Sequence, residues 1–256
     1  GLQTPPDSTA YVYDTFIQAG VADPDDLAGG IHCMAPDFLS QQIAWGLRNT
    51  DLRALDIYLI QNPETQLAFA DRVTFRRRLQ LAFARLEEEV AAGRIGSYGV
   101  STWEGFRRPP MATGYMSLEV MINLVQEVAG PRHHFSCVQV PLSFAMPEAL
   151  TLRNQPVRNS VAPLLSAARD LGVTVIASAG LGQGQVEERW AELLREYYPE
   201  LPTGAQQLLQ FARSLPDVAT TLFGSLDAAH VLDSMAVLAQ PVDRARALRL
   251  LHQRGR

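Results

Sequence analysis

Short apolar runs alternate along this chain with longer stretches in which apolar residues recur every three or four positions. The first run, Leu55-Asp56-Ile57-Tyr58-Leu59-Ile60, predicts a strand over residues 56–60, closed by the polar group Gln61-Asn62-Pro63-Glu64. Further strands are expected at Ile95–Ser101 and at residues 136–141, 173–178 and 218–223. Helical spacing predicts helices over 37–49, 73–92, 117–129, 157–171 and 204–214, then 226–238 and 243–252 after the last strand. Asp37 after Pro36 marks a helix start, and Gly93, Gly130-Pro131 and Gly172 mark helix ends. Residues 1–30, rich in Pro, Asp, Gly and Ala, have weak periodicity and predict an irregular N-terminal segment. Within it, residues 11–17 fit a short helix or a strand equally. Residues 31–256 read as one domain with no repeat, low-complexity tract or linker.

Strand followed by helix throughout predicts an α/β fold with a parallel sheet and right-handed crossovers. The strands do not alternate polar with apolar residues, as expected when helices cover one face and a core the other. The turn Gly180-Leu181-Gly182-Gln183-Gly184 follows a strand but has the spacing GxGxG, not the GxGxxG of a dinucleotide fold. The charged and aromatic stretch 187–198, then Pro199 and Pro202, follows it, without the helix and acidic strand end that such a fold requires. A (β/α) barrel is the better reading.

The net charge of −5 gives no general attraction to nucleic acid. No apolar stretch reaches the roughly 18 residues of a membrane span, and no signal peptide opens the chain. Its first residue is glycine, which suggests a processed, truncated or partly sequenced product. Cys33 and Cys137 read as two buried thiols of a reducing compartment rather than a disulfide, so a cytoplasmic protein is expected. The spacing of His133-His134 with Cys137 is better explained by a turn before a strand than by a metal site. Arg76-Arg77-Arg78 and Glu87-Glu88-Glu89 read as a solvated helix face, and the five arginines of the last thirteen residues as an amphipathic tail.

Five segments in order resemble the aldo-keto reductases. Residues 55–64 are similar to that family's fourth strand. Arg94-Ile95-Gly96-Ser97-Tyr98-Gly99-Val100-Ser101-Thr102-Trp103 resembles the fifth, and Val138-Gln139-Val140-Pro141-Leu142-Ser143 the sixth. Residues 172–179 with the glycine-rich turn resemble the seventh. Thr220-Thr221-Leu222-Phe223-Gly224-Ser225 with Val231-Leu232-Asp233-Ser234 resemble the eighth strand and its helix. The resemblance implies a TIM-type barrel represented by strands four to eight. Three further βα units would need roughly 90 residues, more than lie before the helix at 37–49. Five such strands leave two open edges, which implies possible self-association through them.

By the same resemblance the chain is an oxidoreductase interconverting carbonyls and alcohols with NADP, or NAD, and taking a small-molecule carbonyl substrate. In that family a tyrosine donates the proton, held between lysine and aspartate with a histidine beside it. Gln61 stands at the histidine position, the other three have no counterpart, and all 22 basic residues here are arginine. Glutamine can donate a hydrogen bond to a carbonyl but does not titrate near neutral pH. Ser101, Thr102 and Gln139 match positions that hold the nicotinamide carboxamide. Ser178, Leu181 and Gly182 match the pyrophosphate turn. Ser225 and His230 match positions that meet the 2′-phosphate, and Asp233 and Ser234 those that meet adenine. Gly224 replaces the usual basic residue there, and Asp227 would repel a phosphate, which weakens the NADP preference. Two further readings stand beside the reductase. One is a non-catalytic relative that binds a nucleotide or partner, and the other an incomplete sequence of an ordinary reductase.

Overall fold

The computed structural model describes residues 8–184 and 188–254. Residues 1–7 of the N-terminal segment, Glu187 and Arg256 lie outside the described residues. The chain divides into two compact units, residues 1–136 and 137–256, with the boundary inside a strand.

The first unit opens with α1 (Ser8–Val12) and a π-helical turn at Tyr13–Ile17, so the stretch left open between helix and strand is helical. α2 (Pro36–Thr50) begins on a proline, whose fixed φ suits a first helical position. It ends on Asp51 in the left-handed region, at φ 54°. β1 (Leu55–Gln61), α3 (Arg72–Ala91), β2 (Ile95–Ser101) and α4 (Leu118–Ala129) follow, and β3 (Phe135–Pro141) begins. β1 and β2 are parallel, with Leu55 opposite Ile95 and Gln61 opposite Ser101. At the start of β3, His134 O accepts from Tyr98 N–H at 3.1 Å. The Asp71 side chain caps α3 by accepting from Thr74 N–H at 2.7 Å. Phe75, Leu79, Phe83 and Leu86 recur at helical spacing along α3 and are buried. Phe83 stands 5.9 Å from Tyr98 and 5.8 Å from Phe135 between ring centroids, tying α3 to both strands. Truncating such a buried ring to alanine costs about 3–5 kcal/mol.

In the second unit β3 continues, followed by α5 (Glu148–Thr151), β4 (Gln155–Val157), β5 (Ser160–Ala162) and α6 (Leu164–Asp170). Then come β6 (Thr174–Ser178), α7 (Glu188–Tyr197), α8 (Gly204–Arg213), β7 (Val218–Thr221), α9 (Ala228–Met235) and α10 (Arg244–Arg254). β6 pairs in parallel with both β3 and β7. Cys33 and Cys137 are both buried and free.

Two local expectations need correction. The helix expected over 157–171 starts only at Leu164, because residues 155–162 form the antiparallel hairpin β4–β5. Arg158 turns it at φ 52°, and Pro163, extended at ψ 157°, stands where the helix begins. The stretch 187–198, read only as charged and aromatic, contains α7. Trp190 and Leu194 fall four apart on it, Tyr198 follows directly after its end, and Leu194 and Tyr198 are buried. The last strand and the helix after it are shorter than expected, ending at Thr221 and beginning at Ala228.

Each unit alternates parallel strands with helices, an α/β arrangement. Among the described residues β1 pairs with no strand but β2, and β7 with none but β6, so each keeps an open edge.

Candidate functional site

In parallel strands, groups at the carboxyl ends share one rim. In the second unit, β3 and β6 run in register with Gln139 opposite Ile176 and Pro141 opposite Ser178. Val138, Val140, Val175 and Ala177 are buried, whereas Gln139, Ile176 and Ser178 are half-buried. The two sets alternate along each strand, as side chains on opposite faces do.

After Ser178 the backbone becomes strained. Ala179 and Gln183 have positive φ, each 55°, as do Gly182 at 59° and Gly184 at 73°. The amides of Gly182 and Gly184 donate to Ala179 O and Leu181 O at 2.8 and 3.0 Å, closing two tight turns. A Cβ on Gly180 would stand 2.6 Å from Thr221 Cγ2 and 3.3 Å from Leu209 Cδ2. The loop can therefore lie against β7 and α8 only because this residue is glycine. Beside the loop is a cavity of about 410 Å³, whose lining includes Gln139, Ser178, Gly180, Leu181, Leu222 and Gly224. Gln139, Ser178 and Leu181, three residues the sequence singles out, thus meet at one opening.

The remaining candidates of the second unit lie elsewhere. Gly182 is buried within the turn. Ser225 is exposed, and its hydroxyl accepts from Asp227 N–H at 3.1 Å. His230 is exposed, with its ring nitrogen 3.9 Å from the Asp227 carboxylate. Asp233 accepts from Thr203 Oγ1 at 2.8 Å and from Gln206 Nε2 at 2.9 Å, so it ties α9 to the start of α8. Ser234 is buried and lines a different cavity of about 350 Å³, with Leu209, Val218 and Met235.

In the first unit Gln61 is exposed at the end of β1, while Ser101 and Thr102 are each only 2% exposed at the end of β2. Thr102 Oγ1 is buried without a hydrogen-bond partner. The backbone of Gln61 is held from a distant part of the chain. Its carbonyl accepts from His32 Nε2 at 2.8 Å, and His32 Nδ1 accepts from Gln66 Nε2 at 3.0 Å. Gln66 Oε1 in turn accepts from Arg78, which also donates to Asp25 O. Sequence reasoning missed His32, Gln66 and Arg78, because their partners are separated by 29, 34 and 12 positions and no local pattern marks them.

A proton donor for carbonyl chemistry works best with its pKa near the operating pH. Burial pushes Tyr58 of β1 up to about 12, helped by the Glu89 charge. Burial also raises Tyr98, Tyr115 and Tyr198. Among the described residues no three or more His, Cys, Asp or Glu side chains converge to hold a metal. No helix among them is long and apolar enough to cross a membrane.

No family model matches the chain, and no curated protein matches it. Solved structures do. A thermostable aldo-keto reductase crystallised with the inhibitor epalrestat superposes with a TM-score of 0.63 at 17% identity, over 90% of this chain and 74% of that one. The chain has the aldo-keto reductase fold. A putative 2,5-diketo-D-gluconic acid reductase B gives a TM-score of 0.60 at 16% identity, over 96% of this chain and 74% of that one. An aldo-keto reductase from Klebsiella pneumoniae, crystallised with NADP and acetate, gives 0.59 at 20%, over 84% of this chain and 64% of that one.

Proposed function

We propose that this chain is an aldo-keto reductase-like oxidoreductase by descent that binds NADP, or NAD, through its second unit. The observation that carries this reading is the cavity of about 410 Å³ shared by Gln139, Ser178, Gly180, Leu181, Gln183 and Gly184. The residues suit a dinucleotide. Successive positive-φ positions arrange backbone N–H groups as an anion cradle, and the Leu181 and Gln183 amides would donate to phosphate oxygens. Gln139 would hold the carboxamide of the nicotinamide, amide to amide. A bound nicotinamide supplies hydride to an aldehyde or ketone.

This chain by itself is a binder rather than a reductase. It contains no lysine, Gln61 stands where the resemblance places histidine, and its buried tyrosines are held protonated. Small carbonyl compounds remain the substrate class of the ancestral chemistry.

The reading is tested by titrating NADPH into the purified chain and following nicotinamide fluorescence. Saturable binding is expected, and Ser178→Asp, which places a negative charge beside the turn, should weaken it about tenfold, equivalent to about 1.4 kcal/mol. Absence of saturable binding, or indifference to Ser178→Asp, overturns it.

A further inference from the structure

The first unit holds another polar pocket, in the loops that follow β1 and β2. Asn62, Glu64, Thr65, Trp103, Glu104 and Arg108 are among the residues lining a cavity of about 340 Å³. Glu64 is only 9% exposed. Its Oε1 accepts from three successive backbone amides, Trp103 at 2.8 Å, Glu104 at 3.0 Å and Gly105 at 3.4 Å. Those bonds fold the loop after β2 around one carboxylate oxygen. The other oxygen, Oε2, is buried with no partner, and so is Asn62 Oδ1.

A buried carboxylate oxygen without a donor is costly, because desolvation is not offset by a hydrogen bond. Both residues line the cavity, and an occupant with at least two N–H or O–H donors would satisfy the two orphaned acceptors once a side-chain rotation brings them to its wall. The charge of the wall selects among such occupants. Arg108 donates its Nε to Glu104 at 2.7 Å, so these two offset each other and Glu64 leaves the pocket negative. Trp103 is 38% exposed and offers an aromatic face, which attracts cations and packs against alkyl groups. Among the described residues no three or more His, Cys, Asp or Glu side chains converge here to hold a metal ion.

We propose that this pocket binds a small primary alkylammonium. Two of its N–H groups would reach Glu64 Oε2 and Asn62 Oδ1, and its alkyl stem would lie along Trp103. The proposal rests on the first unit alone and is independent of dinucleotide binding.

The test is calorimetric titration of n-butylammonium chloride into the full chain, checked by changes in Trp103 fluorescence or indole NMR. Saturable binding is expected. Glu64→Gln keeps an acceptor for the three loop amides but replaces the orphaned oxygen with a donor, so affinity should fall at least about tenfold. Asn62→Asp has the same shape, and aspartate tolerates the left-handed backbone found there at φ 44°. Its added charge should tighten binding, so the two isosteric variants move in opposite directions. Tetramethylammonium, a cation with no N–H, should bind more weakly than butylammonium. The proposal is overturned if butylammonium does not bind saturably, if Glu64→Gln binds equally well, if tetramethylammonium matches butylammonium, or if calcium chloride displaces the amine with higher affinity.

Discussion

His32 donates its Nε2–H to the backbone carbonyl of Gln61 across 2.8 Å, joining the loop before α2 to the carboxyl end of β1. The direction of this bond is set three residues away. Arg78 can only donate, so it fixes Gln66 Oε1 toward itself and Gln66 Nε2 toward His32 Nδ1. The neutral Nε2–H tautomer of His32 is then the one that satisfies every partner. Gln66 is fully buried, so removing either neighbour strands a buried polar group. His32→Phe is expected to destabilise the chain by about 1–3 kcal/mol. Because both residues belong to one network, the losses from His32→Phe and Arg78→Met should not add, differing from additivity by about 0.5–3 kcal/mol in a double-mutant cycle. Additive losses in urea unfolding would show that the network is not coupled.

A second network gives the stability an acid limb. Glu87 accepts from Tyr98 Oη at 2.8 Å, from His134 N–H at 2.8 Å and from His134 Nδ1 at 2.7 Å. Burial works against its charge, but the bonds from His134 and Tyr98 outweigh it, and its pKa lies below the ordinary value. A carboxyl depressed on folding stabilises the native state fully above its unfolded pKa, about 4.3 for glutamate, and the gain fades as pH falls through the folded value. Thermal melting between pH 7 and pH 3 should therefore show a steeper acid loss for the native chain than for Glu87→Gln. Parallel curves for the two proteins would remove Glu87 as the cause.

Much of the fold is legible in the sequence because strand and helix periods differ and because glycine and proline mark the ends. α3 illustrates this: Phe75, Leu79, Phe83 and Leu86 declare its buried face, and Gly93 at φ 69° stops it. The hairpin at 155–162 was hidden because Val157 and Leu164 also fit a helical spacing, and only the turn at Arg158 and Pro163 decide against it. The candidate site is legible where packing needs a glycine next to a strand end, as at Gly180. It is illegible where a polar group acts through a distant partner. Asp233 matched a ligand-binding position, yet its carboxylate is engaged by Thr203 and Gln206.

The turn itself offers a contrast between two glycines. An alanine at Gly180 must displace Thr221 or Leu209, and overpacking of this kind costs about 1–3 kcal/mol. An alanine at Gly184 meets nothing within 4 Å but must adopt φ 73°, so its cost is conformational, about 1–2 kcal/mol. Both should weaken NADPH binding. Only Gly180→Ala should be partly rescued by Thr221→Ser, which removes the methyl group that its Cβ would strike. Failure of that rescue would mean that the loop does not pack on β7 as described.

The chain alone is expected to show no NADPH-dependent carbonyl reduction, even where it binds the dinucleotide. General acid catalysis typically supplies ~10²–10⁴-fold in rate and needs a proton donor whose pKa lies near the working pH. Tyr58, pushed up to about 12, and Tyr98, raised further by its bond to Glu87, do not meet that need. No lysine is present to lower either of them. The imidazole of His32 lies close to Gln61, but its two ring nitrogens are engaged by Gln61 O and Gln66 Nε2, so it holds the strand end rather than facing a substrate. Gln61→His would restore one group of the four that the resemblance calls for, and it should therefore leave the rate unchanged. Consumption of NADPH can be followed by absorbance against a panel of aldehydes for both proteins. Turnover above the protein-free background in the native chain would reveal a proton donor other than these residues. Turnover in Gln61→His alone would show that a single imidazole at this strand end is enough to restart the chemistry.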